Sequence, residues 1–599
     1  MQREIKRKTV KYGIAAAVLA VLLTTVIFEF GIQPYFPAGP LRLETFSSHE
    51  ELESFLRTNM EQAENFGVQY SSFLLRGGEM ATLDARTAPA HSTTNIQVAG
   101  VDEADVVKTD GEYLYVVSGS SVHILKGYPP QEAEELSKIT LNETYNIQIY
   151  QNGDRLAILG GHFAPIRIAY MYAGEASLRI YDISDRTSPI LARTLSLNGT
   201  LSGSRKIGDY IYAVVNQLVI EPDHNKTIFE VALPRIYTDN ATREIQATEI
   251  RYVNVTDALY YFTTVIAINI MDDAQEPTCE TILTGSTACI YVSQDNIYLT
   301  VPNTNAWILF AEVRGIHDET LIYRIRLDED DVVCEAEGAV SGYVLNQFSM
   351  DEHNGFFRIA TTEWTDDGSN NNLYVLNMSL NIVGELLGLA PGERIYSARF
   401  MDDRCYLVTF FQVDPFFVID LAEPTEPEVL GYLKIPGFSG YLHPYDEDHI
   451  IGVGKQNSNL KLSLFDVANV SKPTEAAPPF IASEWWSDST VLTDHKAFLF
   501  ARSRQLLALP VSINYVEIKD SETHTNRYWQ GAYVFNISLE EGFVLRGNIT
   551  HQDNNMNYFE YGYQVQRILY IEDVLYTVSE AKVKMNDMET FQLLNEVKL

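Results

Sequence analysis

Short apolar strands, joined in pairs by turns bearing Asp, Asn or Gly, recur from residue 96 to the end of the chain. Two kinds of pair alternate, and together they repeat about every 50 residues. The repeat predicts an all-β fold, a β-propeller of four-stranded antiparallel blades, about eight in number within a range of seven to nine. A chain of 599 residues also outgrows a single compact core, which a series of small cores would accommodate. The expected organisation is a membrane segment at 1–29, a spacer, amphipathic helix and linker at 30–95, and the propeller at 96–599.

The N-terminus supplies the first element. Arg3, Lys6, Arg7, Lys8 and Lys11 precede an uncharged apolar run from Tyr12 to Phe28. Cations clustered on one side of such a run mark a membrane-insertion or export signal. The run is near the lower limit of a spanning helix, roughly 17 to 25 residues, yet long for the apolar core of a cleaved signal. The bulky "EFGIQPYFPAGP" that follows has no small-residue cleavage pattern. An uncleaved signal-anchor over 1–29 is expected, with the rest outside the cytoplasm. Secretion after cleavage is the alternative.

After a Pro/Gly-containing spacer, "FSSHEELESFLRTNMEQAENF" carries Ser48 and Glu51 at capping-box spacing, and Leu52, Phe55, Leu56 and Met60 share one helical face. One amphipathic helix is expected there. "LLRGGEMATLDARTAPAHSTTN" has no sustained period and reads as linker.

The blades come next. One hairpin type is seen in "VVKTDGEYLYVVSG", "CIYVSQDNIYLTVP", "ARFMDDRCYLVTFF" and "VLTDHKAFLFARS". The other is seen in "LRIYDISDRTSPILARTLSL" and "FFVIDLAEPTEPEVLGYLKI". Two hairpins make one four-stranded unit. Turn carboxylates at Asp110, Asp154, Asp209, Asp295, Asp402, Asp446, Asp494 and Asp573 should then ring one face. Length added between a unit's two hairpins should gather on the opposite face, where loops on a rigid scaffold commonly bind partners. These insertions include "HFAPIRIAYMYAGEA", residues 216–261, "TEWTDDGSNNN" and "SINYVEIKDSETHTNRYWQG".

The segments "STTNIQVAGVDEADVVKTDGEYLYVVSG", "LKIPGFSGYLHPYDEDHIIGVGK", "LKLSLFDVANVSKP" and "DHKAFLFARSRQLLALPV" occur in this order. In them, residues 90 to 599 resemble a family of secreted prokaryotic proteins named for a C-terminal β-propeller distantly related to WD repeats. The resemblance implies export and a propeller, and it carries over no catalytic residues.

Composition narrows the partners. The net charge is −36, and without residues 1–29, which hold five cations and two anions, it becomes −39. Such a field repels nucleic acid. Nine sequons, at Asn142, Asn198, Asn225, Asn240, Asn254, Asn377, Asn469, Asn536 and Asn548, agree with export and are glycosylation candidates. Four cysteines are too few for a disulfide framework, although Cys279 and Cys289 in "TCETILTGSTAC" could close a small loop.

Candidate chemistry is sparse. The carboxylates Asp102, Glu103 and Asp105 in "GVDEADVVKTDG" are metal candidates, and with the acidic turns they could attract Ca²⁺. Turn geometry alone also explains Asp and Asn at hairpins, and no cofactor is evident. "YLHPYDEDH" offers His443, Asp446 and His449 as a channel-lining metal or general-base set, against a polar turn as the plain alternative. Adjacent Asp494 and His495 in "LTDHKAF" fit a turn better than a catalytic pair. No G-x-S-x-G, H-E-x-x-H or phosphate-cradling loop is present. Trp485, Trp486 and 35 tyrosines could form platforms for sugars or peptides, or simply pack blades. The favoured function is an anchored extracytoplasmic scaffold that binds protein or glycan. The alternatives are a metal-assisted hydrolase or lyase in the channel and a structural component of the cell envelope.

Overall fold

The computed structural model describes residues 42–65, 81–82, 90–165, 172–221, 230–255, 260–285, 287–302, 319–365, 368–410, 414–482, 485–518, 524–552 and 560–599. The signal-anchor expected over 1–29 lies outside them. Among the described residues no helix is long and apolar enough to cross a membrane.

The described residues form nine sheets of four or more strands in chain order, at 107–140, 145–198, 200–284, 289–341, 343–389, 394–435, 438–481, 486–549 and 567–598. Neighbouring strands pair antiparallel within the sheets, apart from one parallel pair in the third. Nine sheets stand at the upper end of the expected seven to nine. Their second strands read as continuous apolar runs because neighbouring sheets cover both faces. In Tyr210–Leu218, for instance, every residue from Ile211 to Gln217 is buried.

Cores lie between successive sheets. Ile124 and Ile139 of the first pack with Ile149 and Ile158 of the second. Phe416 of the sixth stacks on Phe465 of the seventh, with centroids 4.4 Å apart. Val107, Leu114 and Val116 of the first sheet share a core with Ile571, Tyr576 and Met585 of the ninth, which closes the ring. Closure leaves no uncovered apolar face between first and last sheets.

The helix His49–Asn65 forms where the capping pattern places it. Ser48 Oγ accepts from Glu51 N at 3.2 Å, and the Glu51 carboxylate reaches back to Ser47 N at 2.7 Å. Leu52 and Leu56 are buried against the third sheet, and Phe46 stacks on Tyr252 at 4.0 Å. The preceding strand Leu43–Thr45 pairs with Ile250–Val253 at that sheet's outer side.

Two expectations about insertions are corrected. The 216–261 insertion was expected to gather with the binding loops. Instead, Arg235–Thr238 and Thr242–Glu244 extend the second sheet outward, and Ile250–Val253 adds a parallel strand to the third. "SINYVEIKDSETHTNRYWQG" and "TEWTDDGSNNN" are prolonged hairpins rather than loops, paired out to Ile518 with His524 and to Thr365 with Gly368. Alternating side chains let a strand continue beyond the core wherever its partner does too.

The acidic turns mostly stand where expected. In the first sheet Asp110 Oδ1 accepts from Tyr113 N at 2.8 Å, and Gly111 adopts φ +93°, a left-handed conformation that glycine takes without Cβ strain. Asp494 is the exception. It caps the short 3₁₀ helix His495–Ala497, and the first turn of the eighth sheet is built by Arg502–Arg504 instead.

Candidate functional site

The stretch between residues 90 and 107 joins several sheets. His91 bridges Ile571 of the ninth sheet. Asn95 Nδ2 donates to Tyr441 Oη at 3.1 Å in the seventh and to His495 O at 2.9 Å in the eighth. Gln97 Nε2 reaches Gln347 O and Met350 O at the fifth. Gln294 of the fourth donates to Ala99 O, Val101–Asp102 pairs with the first strand of the third, and Asp105 bridges Ile149 of the second. The stretch therefore runs past the first strands of the sheets as an inner strap.

Its carboxylates are matched by protein cations. Asp102 Oδ1 lies 2.7 Å from Lys108 Nζ. Asp105 Oδ1 accepts from Arg567 Nε at 2.8 Å, with both side chains almost fully buried. Arg567 Nη2 also donates to Asp494 Oδ2 at 2.5 Å. Glu103 is 1 % exposed, 4.0 Å from Arg205 Nε and 3.7 Å from His495 Nε2. For Asp102, Glu103 and Asp105 the metal reading gives way to ion pairs within the chain, close at Asp102 and Asp105. Among the described residues no group of three or more His, Cys, Asp or Glu could hold a metal. Burial works against ionising Asp494, but Arg567 and Lys496 outweigh it and hold its carboxyl below the ordinary value. Burial drives His495 well below the usual imidazole value, aided by Lys496 and three arginines.

His443, Asp446 and His449 do not converge as a catalytic set. His443 packs between Phe498 and Phe500, with centroids at 4.9 and 5.3 Å, and its Nδ1 meets Tyr441 Oη at 3.0 Å. Burial, assisted by Arg399, pushes its pKa down to about 3. His449 Nδ1 instead pairs with Asp446 Oδ1 at 2.7 Å across the hairpin turn, and Arg502 of the eighth sheet takes Asp446 Oδ2 at 2.8 Å. A β-bulge between Pro444 and Asp446 breaks the even spacing of the two histidines. The pair and its arginine join two sheets.

A cavity lies elsewhere. A pocket of about 810 Å³ opens where the sixth, seventh and eighth sheets meet the segment that enters the fifth. Tyr396 and Phe438 come from the starts of first strands, their centroids 4.7 Å apart. Trp486 comes from the strand that leads into the eighth sheet, and Tyr528 from its prolonged hairpin. Lys455 Nζ stands 5.2 Å over the Trp486 ring and 3.1 Å from Asp488 Oδ2. Asn346, Thr490 and Asn514 add polar groups. Asn346 Oδ1 accepts from Phe348 N at 3.0 Å, which fixes the side chain. Trp486 was visible in the sequence as a possible platform, whereas Tyr396, Phe438 and Tyr528 are ordinary strand aromatics there. Trp485, its neighbour, is 69 % exposed and does not line the pocket.

Cys279 and Cys289 are free thiols, so the suggested disulfide is corrected. They belong to strands of two different sheets, Cys279 opposite Ile266 and Cys289 opposite Thr300. Asn142, Asn240, Asn254, Asn469 and Asn548 are exposed, Asn198, Asn377 and Asn536 are half-buried, and Asn225 lies outside the described residues.

Sheets closed in a ring, an inner strap and a pocket at the junction of successive sheets define a β-propeller. The chain belongs to the beta propeller domain family, whose model matches residues 91–591. It is similar to an uncharacterized protein of Methanocaldococcus jannaschii, 28 % identical, over 92 % of this chain and 99 % of that one. An uncharacterized protein of Archaeoglobus fulgidus is 26 % identical over 97 % and 98 %. Among solved structures, a eukaryotic initiation factor aligns over 71 % of this chain and 93 % of its own at 8 % identity and a TM-score of 0.30.

Proposed function

We propose that this protein is a membrane-anchored extracytoplasmic propeller that acts as a binding scaffold, engaging protein or glycan through the face that carries the aromatic pocket. The pocket carries the reading: at about 810 Å³ it falls in the size range of ligand sites, and four aromatic rings from separate elements line it. The five cations before the apolar run and the exposed sequons support the export and the anchor. The ion-paired strap supports binding rather than catalysis, because the acidic groups nearest the sheets' inner strands are already engaged.

The test is retention of a cell-envelope fraction on immobilised full-length protein. Wild type retains a component, and Trp486→Ala combined with Tyr528→Ala loses it. Equal retention by both proteins overturns the assignment to this pocket. Protease treatment of intact cells tests the location: the propeller is digested while the cytoplasm stays protected, and survival of the propeller refutes it.

A further inference from the structure

We propose that the pocket is a subsite for a neutral carbohydrate, a short run of uncharged pyranose units. The inference rests on the binding role given above and narrows its ligand.

Three observations carry it. The first is charge. Lys455 and Asp488 are the charged side chains of the lining, and they neutralise each other at 3.1 Å. The chain as a whole carries −36, so an anionic ligand would meet a repulsive field; Lys455 is already paired, and Arg394 at the edge is engaged with Tyr396, 4.7 Å over its ring and 3.0 Å from its hydroxyl. A cationic ligand would have to compete with Lys455 for Asp488.

The second is the shape of the apolar surface. Tyr396, Phe438, Trp486 and Tyr528 line it, with Tyr396 and Phe438 in mutual contact at 4.7 Å. A pyranose is apolar on its C–H faces and polar around its rim, so ring faces take the former while the latter seeks hydrogen bonds. Lys455 sits against Trp486 and holds it in place.

The third is the set of polar groups left for that rim. Among the described residues, the Asn514 amide and the Thr490 hydroxyl make no side-chain hydrogen bond, and Asn346 uses only its Oδ1. An amide offers a donor and an acceptor side by side, which matches hydroxyls that both give and accept. A concave pocket of this size also suits a small ligand better than a flat protein epitope, which needs roughly 800 Å² per partner.

The test titrates full-length protein with cellotetraose, chitotetraose, mannotetraose and maltotetraose, read by tryptophan fluorescence and saturation-transfer NMR. At least one binds saturably. Trp486→Ala and Asn514→Ala each weaken it tenfold or more, while Trp364→Ala, in the fifth sheet and outside the pocket, leaves it unchanged. Asn514→Ala guards against misfolding at the tryptophan, and melting curves confirm that both variants are folded. Failure of all four sugars to saturate, or equal affinity in wild type and Asn514→Ala, overturns the proposal. Periodate treatment of the envelope fraction separates the two readings. Retention that depends on Trp486 but survives periodate keeps the pocket as a binding site and rejects carbohydrate. Retention that ignores Trp486 rejects the site itself.

Discussion

At the scale of single residues, the buried ion pairs of the strap dominate. Removing Asp105 would leave Arg567 buried with Asp494 as its remaining carboxylate, and breaking a buried pair costs about 3–5 kcal/mol. Asp105→Ala should lose that amount in denaturant unfolding, and a loss below about 1 kcal/mol would show the pair to be dispensable. Acid should act on the same region. Burial holds His443 and His551 at about 3, and the two ring nitrogens of His551 each lie 2.8 Å from a hydroxyl, of Ser579 and of Thr577. A group whose folded pKa is depressed contributes stability that is complete above its unfolded value, about 6.5 for histidine, and is lost as pH falls towards the folded value. Asp446 and Asp494, held below the ordinary carboxylate value, add losses at lower pH of the same sign. The melting temperature should therefore be flat above pH 7 and fall steadily from about pH 6.5 downward. A maximum below pH 6 would contradict this. Because Lys108 and Arg567 occupy the strap's carboxylates, excess chelator should leave melting unchanged; a drop of several degrees would reinstate a structural cation. The sequence displayed the acidic cluster plainly. It hid the partner, since Arg567 stands 462 residues further on and looks like any strand-starting arginine.

At the scale of elements, the hairpins were legible because turn residues and apolar runs alternate with a fixed rhythm. The 216–261 insertion was not. Its strands are short, polar and outermost, so they lack the buried runs that mark inner strands. "VLTDHKAFLFARS" misled for a different reason: Asp494 offers a turn signal that is spent on a 3₁₀ cap, one turn ahead of the true hairpin. The pocket depends on one tight hairpin contact. A Cβ on Gly454 would run into the backbone oxygen of Phe438, a pocket-lining residue on the neighbouring strand. Gly454→Ala should cost about 3 kcal/mol by overpacking and abolish pocket binding, because the rigid neighbour is backbone rather than a movable side chain. Unaltered melting with unaltered binding would show that the seventh sheet absorbs the methyl group.

At the scale of the whole molecule, the periodic repeat specified a closed propeller, and its closing contacts were beyond the reach of local pattern. The first and ninth sheets share a core, yet nothing in either sheet's own sequence names the other. The strap adds a second tie, through His91 with Ile571 and Asp105 with Arg567. Deleting residues 90–104 should therefore lower stability across the ring and broaden the melting transition. Deleting residues 43–65, which pack chiefly on the second and third sheets and reach the fourth through Leu43 N to Glu337 at 3.0 Å, should lower it locally and keep the transition sharp. Differential scanning calorimetry distinguishes the two, and matching profiles would argue against the strap as a tie. The separation of its ends also sets a timetable. With synthesis at about 5–20 residues per second, Asp105 is made roughly 20 to 90 seconds before Arg567 exists. Throughout that interval the finished sheets form an unclosed arc whose first member shows a bare apolar flank, so the most vulnerable moment in this protein's life falls just before its last hairpin arrives.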